Sequence, residues 1–169
     1  MVRHFEEELD NLRNRLLEMS GLVEDSVYRS IQSLMEKDEE KAQQVLQNEV
    51  RINRMEIQID ELATSLLARV QPMATDLRFI TAAIKINNDL ERMGDIAVNI
   101  VRRTLALMRE PLPKELVDIP HMATLAQSMI RKSLDAFVKK DAELARTILT
   151  SDDIIDQPGT KSAARAFCL

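Results

Sequence analysis

Residues 85–99 read K-I-N-N-D-L-E-R-M-G-D-I-A-V-N and lie in the middle of a segment whose apolar residues recur with helical spacing. Glu91 and Asp95 are four residues apart, so on a helix their carboxylates project from one face, one turn apart. Several polar residues here, among them Asn87, stand where the helical pattern expects an apolar residue. This conflict between pattern and polarity makes the stretch the strongest candidate for a functional site.

The sequence around this stretch predicts three long helices. Their apolar residues recur every three or four positions over residues 2–37, 39–70 and 77–108. Asp38 is predicted to cap the second helix, and Pro72 to end it. Thr75 or Asp76 is predicted to cap the third. Because the connections are short, the three helices are expected to form an antiparallel bundle, and the predicted fold class is all-α.

The composition of the 169 residues agrees with a globular, helical chain. Hydrophobic residues make up 45% and charged residues 30%, while the aromatic residues that strands favour are only 3%. A net charge of -5 disfavours a general nucleic-acid binder, since phosphate contacts need clustered Lys and Arg. No apolar run is long enough to span a membrane, and Cys168 is the only cysteine. The sequence therefore predicts a cytoplasmic protein that reaches a membrane only through a partner.

An internal repeat follows the third predicted helix. Residues 27–53 align with residues 130–156 without a gap, at a constant offset of 103. The alignment matches Lys37 with Lys140 and also matches the aspartates that follow them. A true repeat explains this shared Lys-Asp break better than a chance likeness of two amphipathic helices.

The repeat predicts how the chain divides. Residues 1–110 are expected to form a first three-helix bundle. Residues 111–157 are expected to form an incomplete second bundle of two helices. Pro158 and Gly159 interrupt the pattern, so residues 158–169 are predicted to be an atypical tail.

A second carboxylate pair lies on the second predicted helix, where Glu56 and Asp60 are also four residues apart. Both helices rise by about 1.5 Å per residue away from the turn that joins them. Glu56 is therefore expected at the same height along the bundle as Glu91, and Asp60 at the same height as Asn87. Carboxylates placed in this way repel one another unless they are protonated or joined by a cation. Oxygen donors suit a hard cation or an oxygen-bridged iron site. The candidate metal ligands are Glu56, Asp60, Glu91 and Asp95.

Two other interpretations of these acids stay open. Lys85, Arg54 and Arg92 could neutralise them without a metal, which would leave a plain helical scaffold with solvated acids. A metalloenzyme is the second, although His4 and His121 are remote from the acids, which disfavours zinc and the Glu-x-x-His class of di-iron enzymes. No Ser or Cys has a nearby His base. The sequence therefore predicts no catalytic or cofactor-binding residues, and a protein that is not an enzyme.

Three motifs resemble those of the PhoU family of bacterial phosphate-uptake regulators: L-E-R-M-G-D-I-A-V-N at 90–99, P-M-A-T-D-L-R at 72–78 and R-M-E-I-Q-I-D-E at 54–61. The resemblance covers residues 1–157 and implies a fold of two similar three-helix bundles. It also implies a negative regulator of the phosphate-starvation response. The expected partners are the phosphate ABC transporter and the sensor histidine kinase that such a regulator links.

The resemblance further implies a multinuclear cluster of iron or another metal, bound through Glu/Asp-x-x-x-Asp motifs that match the two carboxylate pairs. In the second repeat, Gly159 and Ala163 stand where the first repeat has Glu56 and Asp60. One metal site per chain is therefore expected rather than two. The fourth and fifth helices are also expected to expose an apolar face that promotes association, and a homodimer is expected.

Overall fold

The structure is a computed structural model that describes residues 2–70, 72–109 and 119–155. It contains five α-helices: α1 Val2–Glu36, α2 Glu39–Val70, α3 Ala74–Ala106, α4 Ile119–Lys139 and α5 Ala142–Ile155. These described ranges contain no strand, so the all-α prediction is confirmed. None of their helices has the length and apolar character needed to cross a membrane.

The turn between α1 and α2 is built by Lys37 and Asp38. Lys37 adopts a left-handed backbone with a φ of 54°, and the Asp38 N–H donates to the Ser33 carbonyl at 3.0 Å. The Asp38 carboxylate then accepts the Lys41 backbone N–H at 3.1 Å, which caps the first turn of α2 as predicted. This bond, above all, lowers the pKa of Asp38. The local sequence therefore reverses the chain within two residues.

The start of α3 differs from the prediction that Thr75 or Asp76 caps it. The helix begins at Ala74, and Met73 stands at the cap position with an extended backbone and no side-chain cap. Asp76 instead lies inside the first turn, where the helix dipole favours a negative charge.

The main core lies between α1, α2 and α3, with one contribution from α4. Its buried residues are Leu9, Leu12, Leu16, Met19, Val23, Ile52, Met55, Ile59, Ala63, Leu66, Phe79, Ile80, Ala83, Leu90 and Leu134. Burying each of the large side chains contributes about 1.5–3 kcal/mol before the entropy of folding is subtracted. At Gly94 the α2 and α3 helices approach closely, since a Cβ there would meet the Ile52 side chain at 3.3 Å. The predicted three-helix bundle is thus present.

The turn between α4 and α5 repeats the geometry of the first turn. Lys140 has a φ of 55°, and the Asp141 N–H donates to the Ala136 carbonyl at 2.8 Å. The Asp141 carboxylate accepts the Leu144 N–H at 2.9 Å. Each of these residues follows its counterpart in the first turn by the same offset of 103. The division into 1–110, 111–157 and 158–169 stays a prediction, and residues 110–118 and 156–169 lie outside the described ranges.

Helix α4 packs against α1 and is fixed there by a buried carboxylate. Glu24 of α1 is 8% exposed, and its carboxylate accepts hydrogen bonds from Ser20 at 3.1 Å and from the Arg131 guanidinium at 3.0 Å. The Gln127 side-chain amide donates to the Glu24 carbonyl at 2.8 Å. α4 begins at Ile119, so Pro120 lies in its first turn, where a missing N–H costs nothing, and not in the preceding linker as predicted.

Candidate functional site

The four predicted ligands lie on the outer faces of α2 and α3. Glu56 and Glu91 are half-buried, whereas Asp60 and Asp95 are exposed. Apolar neighbours in the helical repeat, such as Ile59 and Leu90, point into the core and turn the acids toward the surface. The helices therefore present both carboxylate pairs beside the α2–α3 seam.

The electrostatics of Glu91 show which of these acids meet. Its pKa is raised, first by burial, then by the negative charges of Asp95 and Glu56, and also by a hydrogen bond with Asp95. Glu91 therefore lies within hydrogen-bond reach of Asp95 and near enough to Glu56 to be affected by its charge, as the count of residues from the turn predicted for Glu56 and Glu91. Among the described contacts, none joins Asp60 to these three acids.

For the alternative interpretation, in which Lys85, Arg54 or Arg92 neutralises the acids, the described part of the chain shows no ion pair between these residues and the acids. An ion pair between the same two helices involves other residues: Arg102 of α3 lies 3.5 Å from the Glu49 carboxylate of α2. A carboxylate cluster of this kind attracts a cation or a proton.

Whether the acids hold a metal stays a prediction. Within the described residues, no group of three or more His, Cys, Asp or Glu side chains is arranged closely enough to hold a metal ion. The chemistry of the donors nevertheless fits a hard cation, because the candidate set consists only of carboxylate oxygens. Two of the four donors, Asp60 and Asp95, are exposed at the surface of the bundle. The predicted second-repeat counterparts, Gly159 and Ala163, lie outside the described residues.

Asn87 lies beneath the acids, and the sequence identified it only as a polar residue in an apolar position. It is 0% exposed, and its Nδ2 donates to the backbone carbonyl of Glu56 at 2.9 Å. Its Oδ1 has no hydrogen-bond partner in the described part of the structure. The count of residues from the turn placed Asn87 level with Asp60, and Asn87 bonds the carbonyl of Glu56, which points along α2 toward Asp60. The break in the apolar pattern was the signal that could have identified it.

Comparisons with known proteins agree on one family. A model described as the PhoU domain matches residues 16–104 and 119–161. A phosphate-specific transport system accessory protein PhoU homolog of Pseudomonas putida is 42% identical over 92% of this chain and 61% of its own length. The homolog of Pseudomonas aeruginosa is 40% identical over 92% of this chain and 64% of its own length. The chain thus spans less than two thirds of the length of these relatives.

Two solved structures share the fold. The crystal structure of PhoU from Pseudomonas aeruginosa has a TM-score of 0.88 at 40% identity and covers 96% of this chain and 78% of that one. The crystal structure of the phosphate transport system regulatory protein PhoU from Streptococcus pneumoniae has a TM-score of 0.80 at 32% identity. It covers 90% of this chain and 72% of that one.

Proposed function

The chain belongs to the PhoU domain family, and on this basis we propose that it is a cytoplasmic, non-enzymatic regulator of phosphate uptake. The observation that carries the proposal is the family match, which extends over the first bundle and continues through α4 and α5. Relatives at about 40% identity are named accessory proteins of the phosphate-specific transport system.

In finer terms, the protein is a negative regulator of the phosphate-starvation response. It couples the phosphate ABC transporter to a sensor histidine kinase, and it works as a homodimer. The resemblance of its three motifs to the family supports this coupling. The name of the Streptococcus pneumoniae structure, a phosphate transport system regulatory protein, supports a regulatory role. Long exposed helix surfaces, as on α2 and α3, are suited to binding other proteins.

Deleting the encoding gene tests the proposal. A reporter behind a phosphate-starvation promoter is followed in cells grown with ample phosphate. We expect the reporter to be silent in the parent strain, active in the deletion strain and silent again after complementation. Deleting the kinase gene as well is expected to abolish the signal in the deletion strain. A reporter that stays silent in the single deletion would contradict the proposal.

A second role, metal binding, is supported by the acids on α2 and α3. Burial, and then the negative charges of Asp95 and Glu56, raise the pKa of Glu91, and no ion pair of these three acids with a Lys or Arg is described. With Asp60, they are proposed to bind iron or another hard cation at one site per chain. Carboxylate oxygens from two neighbouring helices would then join α2 to α3 through the metal.

Metal content tests this second role. The protein is purified without added metal, and its metals are measured by mass spectrometry. Glu91→Gln is expected to lower the metal content, because it removes a central carboxylate. Glu49→Gln is the matched control, since Glu49 lies on the same seam but pairs with Arg102, and it is expected to keep the metal. An unchanged metal content in Glu91→Gln rejects the assignment of the site.

A further inference from the structure

Asn87 occupies a position that an apolar residue would fill in an ordinary helix bundle. It stands in the buried stripe of α3, between Ala83 and Leu90, and is itself fully buried. Its amide orientation is fixed by its neighbour: Nδ2 faces the Glu56 carbonyl at 2.9 Å, and a flipped amide would bring two oxygens together. Oδ1 therefore stays without a donor in the described part of the structure.

Stability alone does not account for this residue. A buried amide that makes one hydrogen bond and leaves its oxygen unsatisfied destabilises the fold relative to an apolar side chain of similar size. Native cores satisfy nearly all buried polar atoms, so an exception points to a role other than packing. The location of the hydrogen bond identifies that role.

The bond joins the two helices that carry the acids. Of the hydrogen bonds described here, it is the one in which a side chain of α3 reaches the backbone of α2. Its acceptor belongs to Glu56, and Asn87 precedes Glu91 by one helical turn. Asn87 therefore fixes the height of Glu56 on α2 relative to Glu91 and Asp95 on α3.

We propose that Asn87 is a positioning residue, whose hydrogen bond to the Glu56 carbonyl holds the carboxylates of α2 and α3 in register for binding a cation. The inference rests on the metal site proposed above. It adds a residue that touches no cation itself and acts through the backbone of one ligand. Residues that orient metal ligands in this way typically alter metal affinity about 10–100-fold when they are replaced.

The test compares Asn87→Leu with the wild-type chain. Binding of Mn²⁺ is measured by calorimetry, and thermal unfolding is measured without metal. We expect Mn²⁺ to bind about tenfold more weakly or worse. We also expect the midpoint of unfolding without metal to rise by about 2–4 °C, because the unsatisfied oxygen is gone. A purely structural residue would lower both quantities.

Thr104→Val is the matched control. Thr104 is also buried on α3, but its hydroxyl donates to the Ile100 carbonyl of its own helix, away from the acids. This variant is expected to bind Mn²⁺ like the wild type.

Each other outcome is decisive. If Asn87→Leu binds Mn²⁺ as tightly as the wild type, Asn87 does not position the site, and the metal site itself stands. If its unfolding midpoint falls, the amide serves packing, and the inference is wrong. If the wild type binds no Mn²⁺, the proposed metal site fails and the inference fails with it.

Discussion

In the first hairpin, formed by α1 and α2, Ala42 is fully buried and Leu46 is half-buried beneath α3. In the second hairpin, formed by α4 and α5, the matching Ala145 is exposed and Leu149 is 73% exposed. Both hairpins turn through the same left-handed lysine and the same aspartate cap. The difference lies in the third helix, which covers the first hairpin and has no described counterpart on the second.

This comparison separates what the local sequence does from what tertiary packing does. The Lys-Asp turn forms in both places because its hydrogen bonds lie within a few residues. Burial of the inner face requires a helix from elsewhere in the chain. On the second hairpin the corresponding surface is an open groove of about 630 Å³, lined largely by α4 and α5 and by the start of α3.

The largest expected effect comes from placing a charge at the two matched alanines. Ala42→Asp is expected to cost about 3 kcal/mol or more of unfolding free energy, because it buries a carboxylate without a partner. Ala145→Asp, on the exposed counterpart, is expected to change stability by less than about 0.5 kcal/mol. Urea unfolding of both variants measures the difference.

Equal losses in these two variants would contradict the comparison. They would mean that a further helix covers Ala145 in solution. The far-ultraviolet circular dichroism of both variants serves as the control for helix content.

An intermediate effect is expected at the contact that joins the two hairpins. Arg131→Met removes the guanidinium from the buried Glu24 carboxylate and leaves Ser20 as its described partner. Because the Arg131 side chain is largely exposed, we expect a loss of only about 1–2 kcal/mol, measured by urea unfolding.

Lys139→Met is the control on the same helix, where Lys139 forms an exposed pair with Asp135 at 3.3 Å. It is expected to cost less than about 0.5 kcal/mol. If both variants lose the same amount, the buried carboxylate does not fix α4 on α1.

The smallest effect concerns the carboxylates on α2 and α3 of the first bundle. Folding raises the pKa of Glu91, so the folded protein holds this proton more tightly than the unfolded chain. The stability from this group is complete below the unfolded pKa and is lost as the pH rises through the folded pKa. Without metal, Glu91→Gln is therefore expected to gain stability over the wild type as the pH rises above about 4.3, the ordinary pKa of a glutamate.

Thermal unfolding in metal-free buffers across this range measures the gain. Glu49→Gln removes an acid that is paired with Arg102, so it is expected to show no such gain. A gain of Glu91→Gln that does not change with pH would show that burial and the neighbouring acids leave the titration of Glu91 unaffected.

Most of the fold could be predicted because it depends on short-range patterns. The apolar spacing predicted the end of α1 to within one residue. The prediction that Asp38 caps α2 is confirmed by its hydrogen bond to the Lys41 N–H. The predicted cap of α3 was wrong because Met73 stands at the cap position without a side-chain hydrogen bond, and side-chain preferences do not reveal such a cap. Pro120 was assigned to a linker because, in sequence alone, a proline in the first turn of a helix cannot be told from a proline that ends one.

The candidate site was predictable only in part. Counting residues from the turn brought Glu56 close to Glu91, because both helices rise at the same rate. The hydrogen bond from Asn87 to the Glu56 carbonyl agrees with the same count, because a helical carbonyl points toward the residue four positions later, here Asp60. Asp60 lies one turn beyond Glu56, level with Asn87 by the same count, and no described contact joins it to the other three acids.

Helix α1 packs against α2, α3 and α4, whereas α5 packs chiefly on α4. This difference should appear as a gradient of amide hydrogen exchange. The amides at the centre of α1 are expected to exchange only when the whole molecule unfolds, since three helices must separate to expose them. Those of α5 are expected to exchange through local opening, at rates that do not depend on global stability. α1 is thus the last part of the molecule to lose its structure, although it is the first part of the described chain to be synthesised.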